Sequence, residues 1–316
     1  MRLGTLLREG EHHTVLKLDD DTIVDLHLAL PLLQREGQLK WLAPGATTDI
    51  VQLIALDERA LEVAQAVAQA LPGLGAARIA PDALRLAAPI PRTRKNVFCL
   101  GRNYAEHIQE DNTSRDKATP LPEAPQFFTK PATSITGPDT DIELDSAVTR
   151  RLDYEVELAF VIGRGGRDIP AKDAWRHIFG YTIVNDVTAR DLQRRHDQWF
   201  KGKGLDTFCP MGPWIVHASQ IPDPHALRIQ LDVNGERRQD ASTADMIFRI
   251  PAIIESLSAG LTLEPGDVIA TGTPSGVGYA MNPRCFLADG DVVTCRIEGL
   301  GELSNRVRAR PGAGVS

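Results

Sequence analysis

The run Asp153-Tyr154-Glu155-Val156-Glu157-Leu158, continued by Ala159-Phe160-Val161-Ile162, constrains this chain more than any other segment. The apolar continuation specifies a β-strand, and the two-residue period of a strand puts Glu155 and Glu157 on one face. Carboxylates that close repel each other unless water or a cation relieves them. The run is therefore either a solvent-exposed strand face or half of a metal site.

A third carboxylate bears on that choice. Gly180-Tyr181-Thr182-Ile183-Val184-Asn185-Asp186 reads as an apolar strand ending in Asn-Asp, with a helix expected from Thr188 to about His196. Asp186 then sits at a strand end, either as a cap or turn residue or as a third ligand. Three converging carboxylates would select a hard, oxygen-seeking ion, Mg²⁺ or Mn²⁺, rather than Zn²⁺. Gly101-Arg102-Asn103-Tyr104-Ala105-Glu106-His107-Ile108-Gln109-Glu110 follows a strand and opens a short helix. At i, i+3, His107 and Glu110 share a face, as a surface pair or as an acid–base dyad in which the glutamate raises the basicity of the imidazole. The basic stretch Gln193-Arg194-Arg195-His196 with Trp199-Phe200-Lys201-Gly202-Lys203-Gly204 is either solvated charge or a source of one lysine facing an anion. Thr271-Gly272-Thr273-Pro274-Ser275-Gly276-Val277-Gly278 lacks both the GK[ST] ending of a P-loop and the GxGxxG of a dinucleotide site. It reads as a loop whose amides and Thr273 approach a small carboxylate.

Organisation follows from turn and linker signals. Val15–Leu18 and Ile23-Val24 flank an acidic turn, and an alanine-rich helix ends at Pro72-Gly73. The two prolines of Ala88-Pro89-Ile90-Pro91 mark a linker, dividing the chain into a small unit, 1–92, and a larger one, 93–316. In the larger unit short strands dominate, Asn234-Gly235 signals a tight hairpin, and Pro251–Ala259 reads as a helix closed by Gly260. The segment from about Asp111 to Pro125 reads as a mobile lid. With 35 basic and 42 acidic residues, a net charge of −7 disfavours nucleic acid as a partner. Four cysteines without CxxC spacing, no long apolar run and no signal-like start point to a cytoplasmic protein without membrane association.

Taken in order, GRNYAEHIQE, DYEVELAFVIG, GYTIVNDVTARDLQ, KGKGLDTFCPMGP, VNGERRQ and TGTPSGVG resemble the fumarylacetoacetate hydrolase family over about residues 95 to 305. The first ninety residues resemble, with weaker motif support, the accessory domain of longer bacterial members. The resemblance implies a β-rich α+β fold. Its catalytic domain would be a mixed, rolled β-sandwich, joined to a small N-terminal α+β domain, and the protein a homodimer with one Mg²⁺ or Mn²⁺ per site. It implies Glu155, Glu157 and Asp186 as metal ligands, and His107 and Glu110 as a water-activating dyad. Lys203 would be an oxyanion-side lysine with Gln193 near it, while Arg102, Tyr104 and Thr273 would lie near the substrate carboxylate. Leu205 stands where many members carry Phe, and Lys201 is an additional lysine. The implied activity is divalent-metal-dependent C–C cleavage of a short 2-oxo acid through a metal-stabilised enolate, as acylpyruvate hydrolysis or oxaloacetate decarboxylation. The alternative is isomerisation or tautomerisation of an unsaturated 2-oxo dioic acid.

Overall fold

The computed structural model describes residues 1–43, 49–116 and 118–310. Among these, two sheets carry the architecture, with short helices around them. A mixed sheet of twelve strands runs in the order Arg78–Ile79, Ile23–Asp25, Glu11–Lys17, Arg2–Arg8, Cys209–His217, Ile178–Asn185, Val156–Ile162, Val268–Ala270, Val97–Gly101, Gln126–Lys130, with two short strands off this path. A second sheet of five strands is ordered Glu236–Ser242, Arg228–Val233, Val292–Ile297, Gly301–Ala309, Ile142–Leu144. This is the expected sheet-rich α+β sandwich, and neither sheet closes into a barrel.

Alternation along the central strand explains the layering. Leu158, Phe160 and Ile162 belong to the apolar core shared with Ile229, Leu231, Val293 and Leu303 of the smaller sheet. Ala159 and Val161 face the opposite way, into a core built with Leu26, Leu30, Leu33, Val63 and Val67 of the N-terminal helices. Because both faces of this strand are buried, its odd-numbered side, which includes Glu155 and Glu157, is enclosed as well. The first ninety residues join the rest through this sheet, since Arg2 and Leu3 pair with Val216 and Ile215. Along the expected linker Ala88 and Ile90 are buried, and the Thr5 hydroxyl donates to the Pro89 carbonyl at 2.7 Å.

Several local expectations hold within a residue or two. Asn234 and Gly235 both take positive φ between strands paired Val233 to Glu236, a two-residue hairpin. Helices run Arg59–Ala70 and Ile250–Ser258. The helix expected from Thr188 begins only at Arg190, because Thr188 and Ala189 pair with Asp153 and Leu152 as a short antiparallel ladder. Five residues of the expected lid, Asp111 to Arg115, continue the helix Ala105–Arg115. Residue 117 of that segment lies outside the described residues.

Close approach of strands leaves no room at Gly180, where an added Cβ would sit 2.3 Å from the Val216 carbonyl oxygen. Gly180→Ala is expected to lower stability by about 1–3 kcal/mol through overpacking against backbone that cannot rotate away. A denaturant midpoint lowered at unchanged slope would register this.

Candidate active site

The site grows from one sheet register. Val156 pairs with Asn185, so Glu155 and Asp186 meet just beyond the paired ends, where the Asp186 amide donates to the Glu155 carbonyl at 2.8 Å. The Asn185 side chain accepts from the Glu155 amide at 3.1 Å, fixing the strand end. Glu157 follows two residues along on the same face. Oxygens of Glu155, Glu157 and Asp186 all lie within 4.8 Å of one another, and the three residues are 5%, 1% and 0% exposed. The exposed-face alternative for the two glutamates is thereby removed.

Three buried cations hold this negative charge. Lys203 Nζ donates to Glu155 Oε2 at 2.9 Å and to Asp186 Oδ2 at 2.6 Å. Lys130 Nζ, fully buried, donates to the other oxygen of Asp186 and to the carbonyls of Val187 and Lys203. Arg190 lies with Nη2 2.7 Å from Glu155 Oε1, and its Nε donates to the buried Asp153 at 2.8 Å. Burial opposes the ionisation of Glu155, but Lys203 and then Arg190 outweigh it and hold the group below the usual carboxylate range. Among the described residues no cation is in ion-pair contact with Glu157, and Lys203 acts on it only from a distance. Burial first, then Asp186 and Glu155, push it well above the usual range, although the Gly272 amide donates to it at 2.8 Å.

Four buried carboxylates, Asp153 included, stand against three cations, so full ionisation would leave one negative charge. A proton on Glu157 cancels it, and a cation does so more fully. An all-oxygen set suits Mg²⁺ or Mn²⁺, and Glu155, Glu157 and Asp186 can hold one such ion. With a divalent ion the buried set carries one positive charge, which favours an anionic substrate.

Arg102, His107, Glu155, Glu157, Gln193, Lys203 and Thr273 line one cleft of about 70 Å³. Asp186 lies beneath it, reached through Lys203. His107 Nδ1 is 3.3 Å from Glu110 Oε2, and the Gly276 amide donates to Glu110 at 3.0 and 3.2 Å. Gln193 Oε1 accepts from Arg190 Nη1 at 3.2 Å. Thr273 lies on the cleft wall, but its hydroxyl donates to the Val156 carbonyl and accepts from Gln239 Nε2, both at 2.9 Å. Tyr104 is not on that wall. It is 1% exposed within the main apolar core, its hydroxyl has no hydrogen-bond partner among the described residues, and burial pushes its pKa up. Lys201 is exposed, and Leu205 packs on the main core outside the cleft.

The glycine-rich loop does something other than the sequence reading expected. Its amides grip the protein's own carboxylates: Gly272 holds Glu157, Gly276 holds Glu110, and Gly278 and Tyr279 hold Asp153 at 2.8 and 3.0 Å. At Gly276, with φ of 105°, a Cβ would meet the Arg238 carbonyl at 2.0 Å, so only glycine brings that amide to Glu110.

Sequence reasoning missed Lys130, Arg190, Asp153 and Gln239. Arg190 stood inside a motif already singled out, and a lysine ending the strand Gln126–Lys130 directly before Pro131 was the available signal for Lys130. Gln239 ties the site to the smaller sheet, accepting from the Val156 amide at 3.0 Å and donating to Thr273 and the Pro274 carbonyl.

Fold and site together define a sheet-sandwich protein with a buried oxygen-donor trio suited to a divalent ion at the foot of a narrow cleft. The family model described as fumarylacetoacetate (FAA) hydrolase C-terminal matches residues 96–308, and the chain belongs to the fumarylacetoacetate hydrolase family. It is 45% identical over 296 residues to oxaloacetate tautomerase YisK of Bacillus subtilis (strain 168), covering 92% of this chain and 95% of that protein. A fumarylacetoacetate hydrolase from Exiguobacterium antarcticum superposes with a TM-score of 0.77 at 38% identity, over 98% of this chain and all of that one. Maleylpyruvate hydrolase from Sphingobium sp. SYK-6, solved with manganese(II) and pyruvate, gives a TM-score of 0.73 at 31% identity, over 98% and 99% of the two chains. Divalent metal binding thus occurs within the family, and the buried trio here matches that chemistry.

Lys130→Met leaves Asp186 with one cation fewer in a buried setting and is expected to cost about 3–5 kcal/mol. Because a bound cation would replace part of the lost charge, thermal unfolding should show a larger loss in EDTA than in Mg²⁺.

Proposed function

We infer that this protein is a divalent-metal-dependent tautomerase of a short 2-oxo dioic acid of the oxaloacetate class, moving a proton between C3 and the 2-oxygen without breaking a C–C bond. The observation that carries the reading is the placement of His107 on the wall of the cleft that Glu155 and Glu157 also line. Similarity to an oxaloacetate tautomerase along nearly the whole chain supports it.

Glu155, Glu157 and Asp186 would hold the ion, which when bound supplies a Lewis acid that polarises the 2-oxo group. With Nδ1–H directed at Glu110, the imidazole of His107 keeps Nε2 as its basic nitrogen, the tautomer needed to take a proton from C3 and return one. The Gly276 amide holds Glu110 in place for this task. Gln193 presents its carbonyl oxygen to Arg190, which leaves its amide N–H donors for a substrate oxygen. Arg102 uses Nη2 on the Pro120 carbonyl at 3.0 Å and retains further N–H groups for a carboxylate. Lys203, held by two carboxylates, acts as a fixed positive charge rather than as a mobile acid.

A second reading is C–C cleavage, as acylpyruvate hydrolysis or oxaloacetate decarboxylation, and a specific observation favours the hydrolytic form. The His107–Glu110 pair can equally activate water, and a structural relative named for hydrolysis of maleylpyruvate was solved with pyruvate.

Proton NMR of oxaloacetate with Mg²⁺ separates tautomerisation from decarboxylation, and the same assay on an acylpyruvate tests hydrolysis. Accelerated interconversion of keto and enol forms at constant total substrate is expected, whereas pyruvate appearing faster than in the enzyme-free control would favour cleavage. His107→Ala should lower the interconversion rate by about 10²–10⁴-fold, the range for loss of a general base. EDTA should abolish activity and added Mg²⁺ or Mn²⁺ restore it, while turnover unaffected by chelation would reject the metal-dependent mechanism.

A further inference from the structure

The N-terminal part of the large sheet carries a second group of metal-ligating side chains, which the proposed reaction does not use. Strand Glu11–Lys17 pairs Val15 with Asp25, so His13, Val15 and Asp25 share one face. His13 Nδ1 lies 2.8 Å from Asp25 Oδ2. Asp25 is fully buried, and its Oδ1 accepts the His27 amide at 2.9 Å, capping the helix Leu26–Arg35. One carboxylate oxygen is thus fixed on the helix start and the other is turned to His13. The His27 ring meets the His13 ring edge-on, with centroids 4.2 Å apart. A nitrogen of each imidazole and an oxygen of Asp25 all lie within 4.8 Å of one another, and both histidines are half-buried.

We propose that His13, Asp25 and His27 form a binding site for a transition-metal ion of the Zn²⁺ class. The donor set decides the ion: two imidazole nitrogens and one carboxylate oxygen suit Zn²⁺, whereas the cleft, with oxygen donors alone, suits Mg²⁺ or Mn²⁺. A tetrahedral Zn²⁺ with bonds of about 2.0–2.1 Å holds its donor atoms about 3.3 Å apart. A trio spread over at most 4.8 Å is therefore within about 1.5 Å of the spacing such an ion needs, a gap that side-chain adjustment closes. Three protein ligands leave a fourth position for water. The ion joins the hairpin strand Glu11–Lys17 to the start of the helix Leu26–Arg35, so it stabilises the N-terminal unit rather than the reaction. Arg8 opposes it: its Nη1 is 3.4 Å from Asp25 Oδ2, on a side chain 41% exposed that has water to turn into.

The test is calorimetric titration of Zn²⁺ into the full-length, untagged protein in excess Mg²⁺, which keeps the cleft trio filled. One Zn²⁺ per chain is expected in the wild type and in Glu157→Gln, which impairs the cleft site. The double variant His13→Ala/His27→Ala keeps the Asp25 helix cap and its Mg²⁺-dependent turnover, and should bind Zn²⁺ at least about tenfold more weakly. Arg8→Gln should tighten binding, because it removes a cation beside a ligand carboxylate, and Zn²⁺ should raise the unfolding temperature of the wild type but not of the double variant. No Zn²⁺ uptake by the folded wild type in excess Mg²⁺, or equal uptake by the double variant, would overturn the site, and either result leaves the cleft chemistry untouched.

Discussion

The structure depends on burying negative charge at the end of a two-faced strand. Val156–Ile162 has apolar cores on both sides, so the carboxylates on its odd-numbered face are not in open water. Isolated, each would neutralise itself or unfold its surroundings. Here Lys203, Lys130 and Arg190 come in from three separate elements, and the backbone turns of the glycine-rich loop supply amides where no cation stands. Much of the local architecture serves that compensation. Gly202 approaches the Gln193 backbone so closely that a Cβ would sit 2.6 Å from its nitrogen, which lets the helix Phe200–Lys203 bring its lysine beneath the cleft. Asp153 in turn holds Arg190 and two loop amides.

The compensation stops one charge short, and that shortfall gives the site its character. Glu157 is the carboxylate of the trio with no cation in direct contact among the described residues, and burial, Asp186 and Glu155 outweigh the more distant Lys203 and force it towards the protonated form. A divalent ion relieves the same group and reverses the sign of the buried set. The bulk net charge of −7 therefore says little about what the cleft accepts. A cleft with a locally positive floor, a histidine on its wall and a volume near 70 Å³ suits a small dianion.

The sheet strands and the trio were legible because strand period, an apolar continuation and strand-end position are local properties of residues 153–162 and 180–186. The pairing of His107 with Glu110 was legible as helical spacing. The cations other than Lys203 were not legible, because Lys130 and Arg190 earn their place only through packing 56 and 35 residues away in sequence from Asp186 and Glu155. The loop misled for the same reason: glycines advertise amides that can approach a carboxylate, but sequence alone does not say whose carboxylate. Tyr104 shows the converse, since a motif position adjacent to site residues carries a side chain that turns into the core.

Glu155, Glu157 and Asp186 form one divalent-cation site whose charge the surrounding lysines and arginine leave incomplete. Electron paramagnetic resonance of Mn²⁺ titrated into the wild type and into Glu157→Gln counts the ions held there. One tightly held Mn²⁺ per wild-type chain is expected, displaced by Mg²⁺, with a marked loss of affinity in the variant. Equal Mn²⁺ binding by the two proteins, or none by the folded wild type, would contradict it.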